Sequence, residues 1–140
     1  MGEFNPERFI RAQEGVYSDA LRELHTGHKQ SHWMWFIFPQ LAGLGHSSTA
    51  RYYALDNLDQ ARAYLRHPLL GARLRECTSA TLAIDGRTVD EIFGPVDALK
   101  FRSSLTLFSR AAGDESLFAR ALAKFCTDED QRTLALLDLQ

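Results

Sequence analysis

An all-α fold, a compact single domain built as an array of short helices over residues 1–140, follows from three observations on the sequence. Apolar residues recur at three- and four-residue spacing, most cleanly at Leu117, Phe118, Ala121, Leu122 and Phe125. Capping and helix-opening residues (Asn, Ser, Thr, Pro) stand ahead of these stripes, and glycine or a Gly-Asp pair stands behind several of them. The 140 residues are 45% hydrophobic, enough to bury one core without a disulfide or metal staple.

Each element has its own local reason. Asn5-Pro6 starts the first helix and sets Phe9, Ile10 and Gln13 on one side. Tyr17, Leu21 and Leu24 form the stripe of a second helix, stopped near Gly27. Ser47 or Ser48 caps a short helix through Ala50 and Tyr53. Asn57 caps another that runs to Arg66, where His67-Pro68 imposes a break. Pro68 then opens a helix with Leu70, Leu74, Cys77 and Thr81 on one face. Asp85-Gly86 is a turn, and Thr88 caps the segment from Val89 to Phe93 ahead of Gly94-Pro95. From Pro95 a longer helix is expected to about Ala112, ended by Gly113-Asp114. After the Leu117–Phe125 stripe, Thr127 or Asp128 is expected to cap a last helix carrying Leu134 and Leu137. The run Trp33-Met34-Trp35-Phe36-Ile37-Phe38 has strand-like residues but no partner strand. A helical or extended connection packed into the core is expected there, with a buried strand as the alternative.

Composition excludes several function classes. A net charge of −2, with no basic stripe, argues against a nucleic-acid partner. The longest apolar run, Trp33 to Phe38, is too short to span a bilayer, so no membrane association is expected. Met1-Gly2-Glu3-Phe4-Asn5-Pro6 lacks the basic start and apolar run of a signal peptide, and a cytoplasmic location is the expectation. Cys77 and Cys126 lie within apolar helical patterns and read as reduced, partly buried thiols. His25, His28 and His32 have helical spacing, but Gly27 interrupts them and no further ligand is at hand, so neither a metal nor a cofactor is expected.

The chemistry gathers between Lys29 and Tyr53. Trp33 and Trp35 could sandwich a flat ring or fill the core, and Gln40 adds a polar end to the run. Gly43-Leu44-Gly45-His46-Ser47-Ser48 is a glycine-bounded turn before a helix start, which suits an anion or serves as an ordinary loop and cap. Lys29 lies beside this block and could pair with a phosphate. In the helix after Pro95, Asp97, Lys100 and Ser104 fall at the polar margin of a face that carries Phe101 and Phe108. A carboxylate and an ammonium at the edge of an apolar pocket suit proton handling and an anion clamp, or form a plain surface pair. The expected site therefore has Asp97 or His32 handling a proton. Lys29, Trp33, Trp35, Gln40, Gly43, Gly45, Ser47, Lys100 and Ser104 would bind the ligand.

These residues carry a resemblance. Arg8-Phe9 with Ala12-Gln13, Ala20-Leu21 with Glu23-Leu24, Lys29 through Gly45, His67 through Leu74, Ile92-Phe93-Gly94 and Asp97 through Phe108 resemble a widespread bacterial domain family of unknown function, sometimes mislabelled calpastatin. The likeness covers nearly the whole chain and implies a compact multihelical fold, without an established activity. The calpastatin label fails physically: that inhibitor is disordered and repetitive, whereas this chain is aromatic-rich, capped and without repeats. Over residues 61–100, the order of the His-Pro-Leu-Leu-Gly helix, the Ile-Phe-Gly turn and an acidic residue also resembles the all-α domain of NAD and ADP-ribose metabolism. The Glu-rich aromatic motif of that family is not matched upstream. The expected partner is thus a small phosphorylated, nucleotide-like ligand, NAD- or ADP-ribose-related by that second likeness, bound by a protein that hydrolyses, transfers or simply holds it. The alternative is a non-enzymatic protein-interaction or structural module.

Overall fold

The helices form where stripes and caps coincide. A computed structural model describes residues 3–140; Met1 and Gly2, the start of the segment expected to lack a signal peptide, lie outside the described residues. Among the described residues ten helices run in order: α1 (Glu7–Gln13), α2 (Tyr17–Thr26), α3 (Met34–Ile37), α4 (Ser48–Tyr53), α5 (Leu58–Arg66), α6 (Leu70–Leu82), α7 (Val89–Phe93), α8 (Pro95–Ala111), α9 (Leu117–Phe125) and α10 (Gln131–Asp138). Among the described residues there is no strand, only an isolated parallel bridge between Leu41 and Leu55. The Trp33–Phe38 run is therefore the expected helical connection, a single turn, and the strand alternative is not taken.

Capping follows the side chains available. Ser47 accepts from the Ala50 N–H, Asn57 from the Gln60 N–H, and Thr88 forms a reciprocal capping box with Glu91. The α6 helix, regular from Leu70, is opened by Pro68 as expected: His67 Nδ1 accepts the N–H groups of Leu69 and Leu70, and the Gly71 N–H reaches back to the His67 carbonyl at 2.9 Å, so His67 caps the turn that Pro68 begins. One helix start differs from expectation. The cap of α10 is Asp130, not Thr127 or Asp128. The Asp130 N–H donates to Thr106 Oγ1 on α8, while Arg102 donates to the carbonyls of Asp128 and Glu129 and keeps that stretch outside the helix.

α8 is the central helix, packed against α5, α7, α9 and α10. Its buried residues include Phe101, Leu105, Leu107 and Phe108. Phe101 stacks on Phe93 at 4.5 Å between ring centroids and meets Phe38 edge-on at 5.0 Å, which ties α7 and the segment after α3 to α8. At the α5–α6 crossing the chain requires glycine. A Cβ on Gly71 would lie 2.1 Å from the Leu65 carbonyl oxygen. Cys77 is buried, with its thiol pushed up to about 12 chiefly by that burial, and Cys126 is half-buried; both are free thiols. No helix among the described residues is long and apolar enough to cross a membrane.

Candidate functional site

The site is built on one buried carboxylate. Gly27, at φ +82°, ends α2 in the left-handed conformation, and the chain then folds back over the helix end, with the His28 N–H on the Glu23 carbonyl. Glu23 is 5% exposed. Its carboxylate accepts from Gln30 N (2.7 Å), Ser31 N (3.0 Å), Ser31 Oγ (2.6 Å) and Trp33 Nε1 (2.9 Å). Burial pushes this carboxyl up, yet the donors from Ser31, Gln30 and Trp33 together outweigh it and hold it at about 2. The loop from Gln30 to Trp33 is thus wrapped around a fixed negative charge.

That wrapping presents Lys29. Its N–H donates to the Ile92 carbonyl at 2.8 Å, next to the start of α8. Its ammonium meets Asp97 Oδ2 at 2.9 Å, donates to the Ser31 carbonyl at 2.6 Å and lies 5.1 Å from the Trp33 ring centre, with only 8% of the side chain exposed. Asp97, in the first turn of α8, also receives Lys100 Nζ on Oδ1 at 3.1 Å. Burial would raise the Asp97 carboxyl, but the hydrogen bonds from Lys29 and Lys100 outweigh it and hold the group below its ordinary range. A carboxylate fixed between two ammonium groups is a poor proton donor and a weak base; here it organises two lysines.

Those lysines differ. Lys29 is saturated by Asp97, the Ser31 carbonyl and the Trp33 ring. Lys100 makes one hydrogen bond, to Asp97, and sits 4.1 Å from the Trp35 ring centre. An ammonium has three donors, so Lys100 keeps capacity that Lys29 lacks.

Trp35 leads from Lys100 to a cleft. Its ring, with Gln40, Gly43, Gly45, Arg51 and Tyr53, lines an open hollow of about 630 Å³, solvent space included, with Asp56 at its wall. Gln40 is half-buried and its Nε2 is buried without a hydrogen-bond partner. A donor left so costs about 1–3 kcal/mol. Gly45 has no room for a side chain, since a Cβ there would lie 2.7 Å from Ala50 Cβ and 3.8 Å from the Trp35 ring. The second glycine therefore lets the turn close on α4 and Trp35. Ser47 is exposed and its hydroxyl oxygen caps α4.

The structure thus brings together Lys29, Asp97, Lys100, Trp35, Gln40, Gly43 and Gly45, and sets the other candidates apart. Trp33 is 1% exposed, in the core, with its N–H on Glu23, so it cannot form one side of a ring sandwich. His32 is exposed and makes no hydrogen bond among the described residues. Ser104 is 1% exposed, one turn past Lys100, with its Oγ buried and unpartnered. Sequence reasoning missed Glu23, Arg51 and Tyr53. Glu23 did leave a signal, a carboxylate beside Leu24 on the buried face of α2. Among the described residues no three His, Cys, Asp or Glu side chains group as metal ligands would.

A multihelical domain with a lysine–carboxylate–lysine cluster beside a tryptophan-walled cleft is the class that this geometry defines. The chain belongs to the family described as "Protein of unknown function (DUF1810)", which it matches over residues 3–137. It is similar to the conserved hypothetical protein Rv1873 from Mycobacterium tuberculosis, a crystal structure, at 49% identity and a TM-score of 0.96, over 98% of this chain and 99% of that one. No curated protein matches the chain.

Proposed function

We propose that the cleft beside Trp35 binds a small phosphorylated, nucleotide-like molecule. The observation that carries this reading is Lys100, an ammonium with one hydrogen bond, stacked on a tryptophan whose ring lines an open cleft. Phosphate would take the free donors of Lys100 and the guanidinium of Arg51, while Trp35 and Tyr53 supply aromatic surface for a flat ring. Asp97 is held ionised by its two lysines, which favours binding over acid–base hydrolysis as the core activity.

The test is thermal unfolding of the wild-type chain, Lys100→Gln and Trp35→Leu against AMP, ADP-ribose, NAD and ribose 5-phosphate. A ligand at a hundredfold over its Kd adds about 2.7 kcal/mol, a shift of several degrees for a domain of this size. Both variants should lose the shift while unfolding near the wild-type temperature without ligand. A flat response from the wild-type chain refutes the reading. It would favour a protein-interaction module instead, for which Val96 and Leu99, 67% and 64% exposed on α8, are the supporting observation.

A further inference from the structure

We infer that Gln40 makes the cleft selective for a nucleotide whose ring edge sets a hydrogen-bond acceptor beside a donor, an inference that rests on the cleft being the nucleotide site proposed above. The backbone of Gln40 is fixed from both sides. Pro39 before it is buried, its own carbonyl accepts the Leu55 N–H at 2.9 Å, and Leu41 after it is bridged to Leu55, with the Ala42 N–H on the Leu55 carbonyl at 2.8 Å. Only the side chain is left to move, and its Nε2 has no partner where it lies. Gln40 already lines the cleft, and a change of its χ1 or χ2 rotamer, with the broad terminal torsion to set the plane, turns the amide toward it.

An amide offers an N–H donor and a carbonyl acceptor in one plane. It satisfies both only against an edge that carries an acceptor next to a donor, as it does with the N7 and N6 amino group of adenine. A ring with acceptors alone would leave the amide oxygen facing a second lone pair. The rest of the lining fits the same ligand: Trp35 and Tyr53 for the ring, Arg51 for a phosphate, and the Asp56 carboxylate as a further acceptor for a hydroxyl or amine. A bare phosphate would use only the amide N–H and leave its oxygen without a donor.

Three probes separate the elements of this reading by calorimetric titration of the full chain: AMP, purine riboside 5′-monophosphate, which lacks the exocyclic amine, and ribose 5-phosphate, which lacks the ring. AMP should bind about tenfold to a hundredfold more tightly than the purine riboside analogue. Gln40→Leu should bring AMP to the level of the analogue and leave the analogue within a few-fold of its wild-type affinity. The unliganded Gln40→Leu chain should unfold at a higher temperature, because a buried unpartnered donor is gone. Gln40→Glu keeps the oxygen that accepts from the N6 amine but sets a second acceptor against N7, which both probes carry, so it should weaken AMP and the analogue alike and keep the AMP preference; it serves if the leucine variant fails to fold. Equal binding of AMP and the analogue to the wild-type chain, or an AMP preference that survives in Gln40→Leu, overturns the inference. Ribose 5-phosphate bound as tightly as AMP would also overturn it while leaving an anion site in place. Failure of all three probes to bind would remove the nucleotide reading itself.

Discussion

Replacing Glu23 by glutamine tests the network on which the site is built. The carboxyl would titrate near 4.5 in the unfolded chain and titrates near 2 in the folded one. Its folded pKa is depressed, so its contribution is complete above about pH 5 and is lost as pH falls through 2. Integrating proton linkage between those values gives about 3 kcal/mol at pH 7, falling to less than half of that by pH 3 and to a small remainder at pH 2. Glu23→Gln keeps one acceptor oxygen but puts an NH2 group in place of the other. It removes the charge that strengthens the bonds from Gln30, Ser31 and Trp33. Urea unfolding of both chains should show the variant less stable by about 3 kcal/mol at pH 7, a drop in Tm on the order of 10 °C. By pH 3 the gap should narrow to about half or less. A gap below about 0.5 kcal/mol at neutral pH, or one that stays constant down to pH 3, would refute the argument.

Three further substitutions test the same structure. Gly71→Ala forces a Cβ to within 2.1 Å of the Leu65 carbonyl oxygen, backbone that cannot swing aside, so it should cost about 3 kcal/mol or more in denaturant unfolding; a loss below 1 kcal/mol would contradict the close α5–α6 crossing. Lys29→Met leaves Asp97 with one partner in a half-buried setting and should destabilise the fold by about 2–3 kcal/mol, whereas Lys100→Gln, at a more exposed and less saturated position, should cost under about 1 kcal/mol. Equal losses in the two variants would contradict the division into a saturated, buried lysine and a more exposed one with donors to spare.

Much of the fold was legible because helix signals are local. The stripes, the caps at Ser47, Asn57 and Thr88, and the Gly27 and Gly94-Pro95 boundaries each involve residues within one or two turns, and all form as read. The start of α10 was misplaced for a matching reason: Asp130 is selected as its cap by Thr106, 24 residues away. The lysine–carboxylate pair at Asp97 and Lys100 is again a local i, i+3 spacing, and it was readable; the arrival of Lys29 on that carboxylate was not.

Local signals along the chain were enough for the all-α class, most helix boundaries, the family, and the aromatic, glycine-bounded stretch in which a cleft forms. Tertiary structure alone decided the fate of each side chain there. Periodicity places a residue on a face but does not say what the face meets. Trp33 and Trp35, two residues apart, therefore diverge, one locked into the core by Glu23 and the other walling an open cleft under Lys100. In the same way the two lysines share one carboxylate, and only their remaining surroundings separate them: a carbonyl and a buried ring hold Lys29 as a strut, while Lys100 has a half-buried tryptophan and donors to spare.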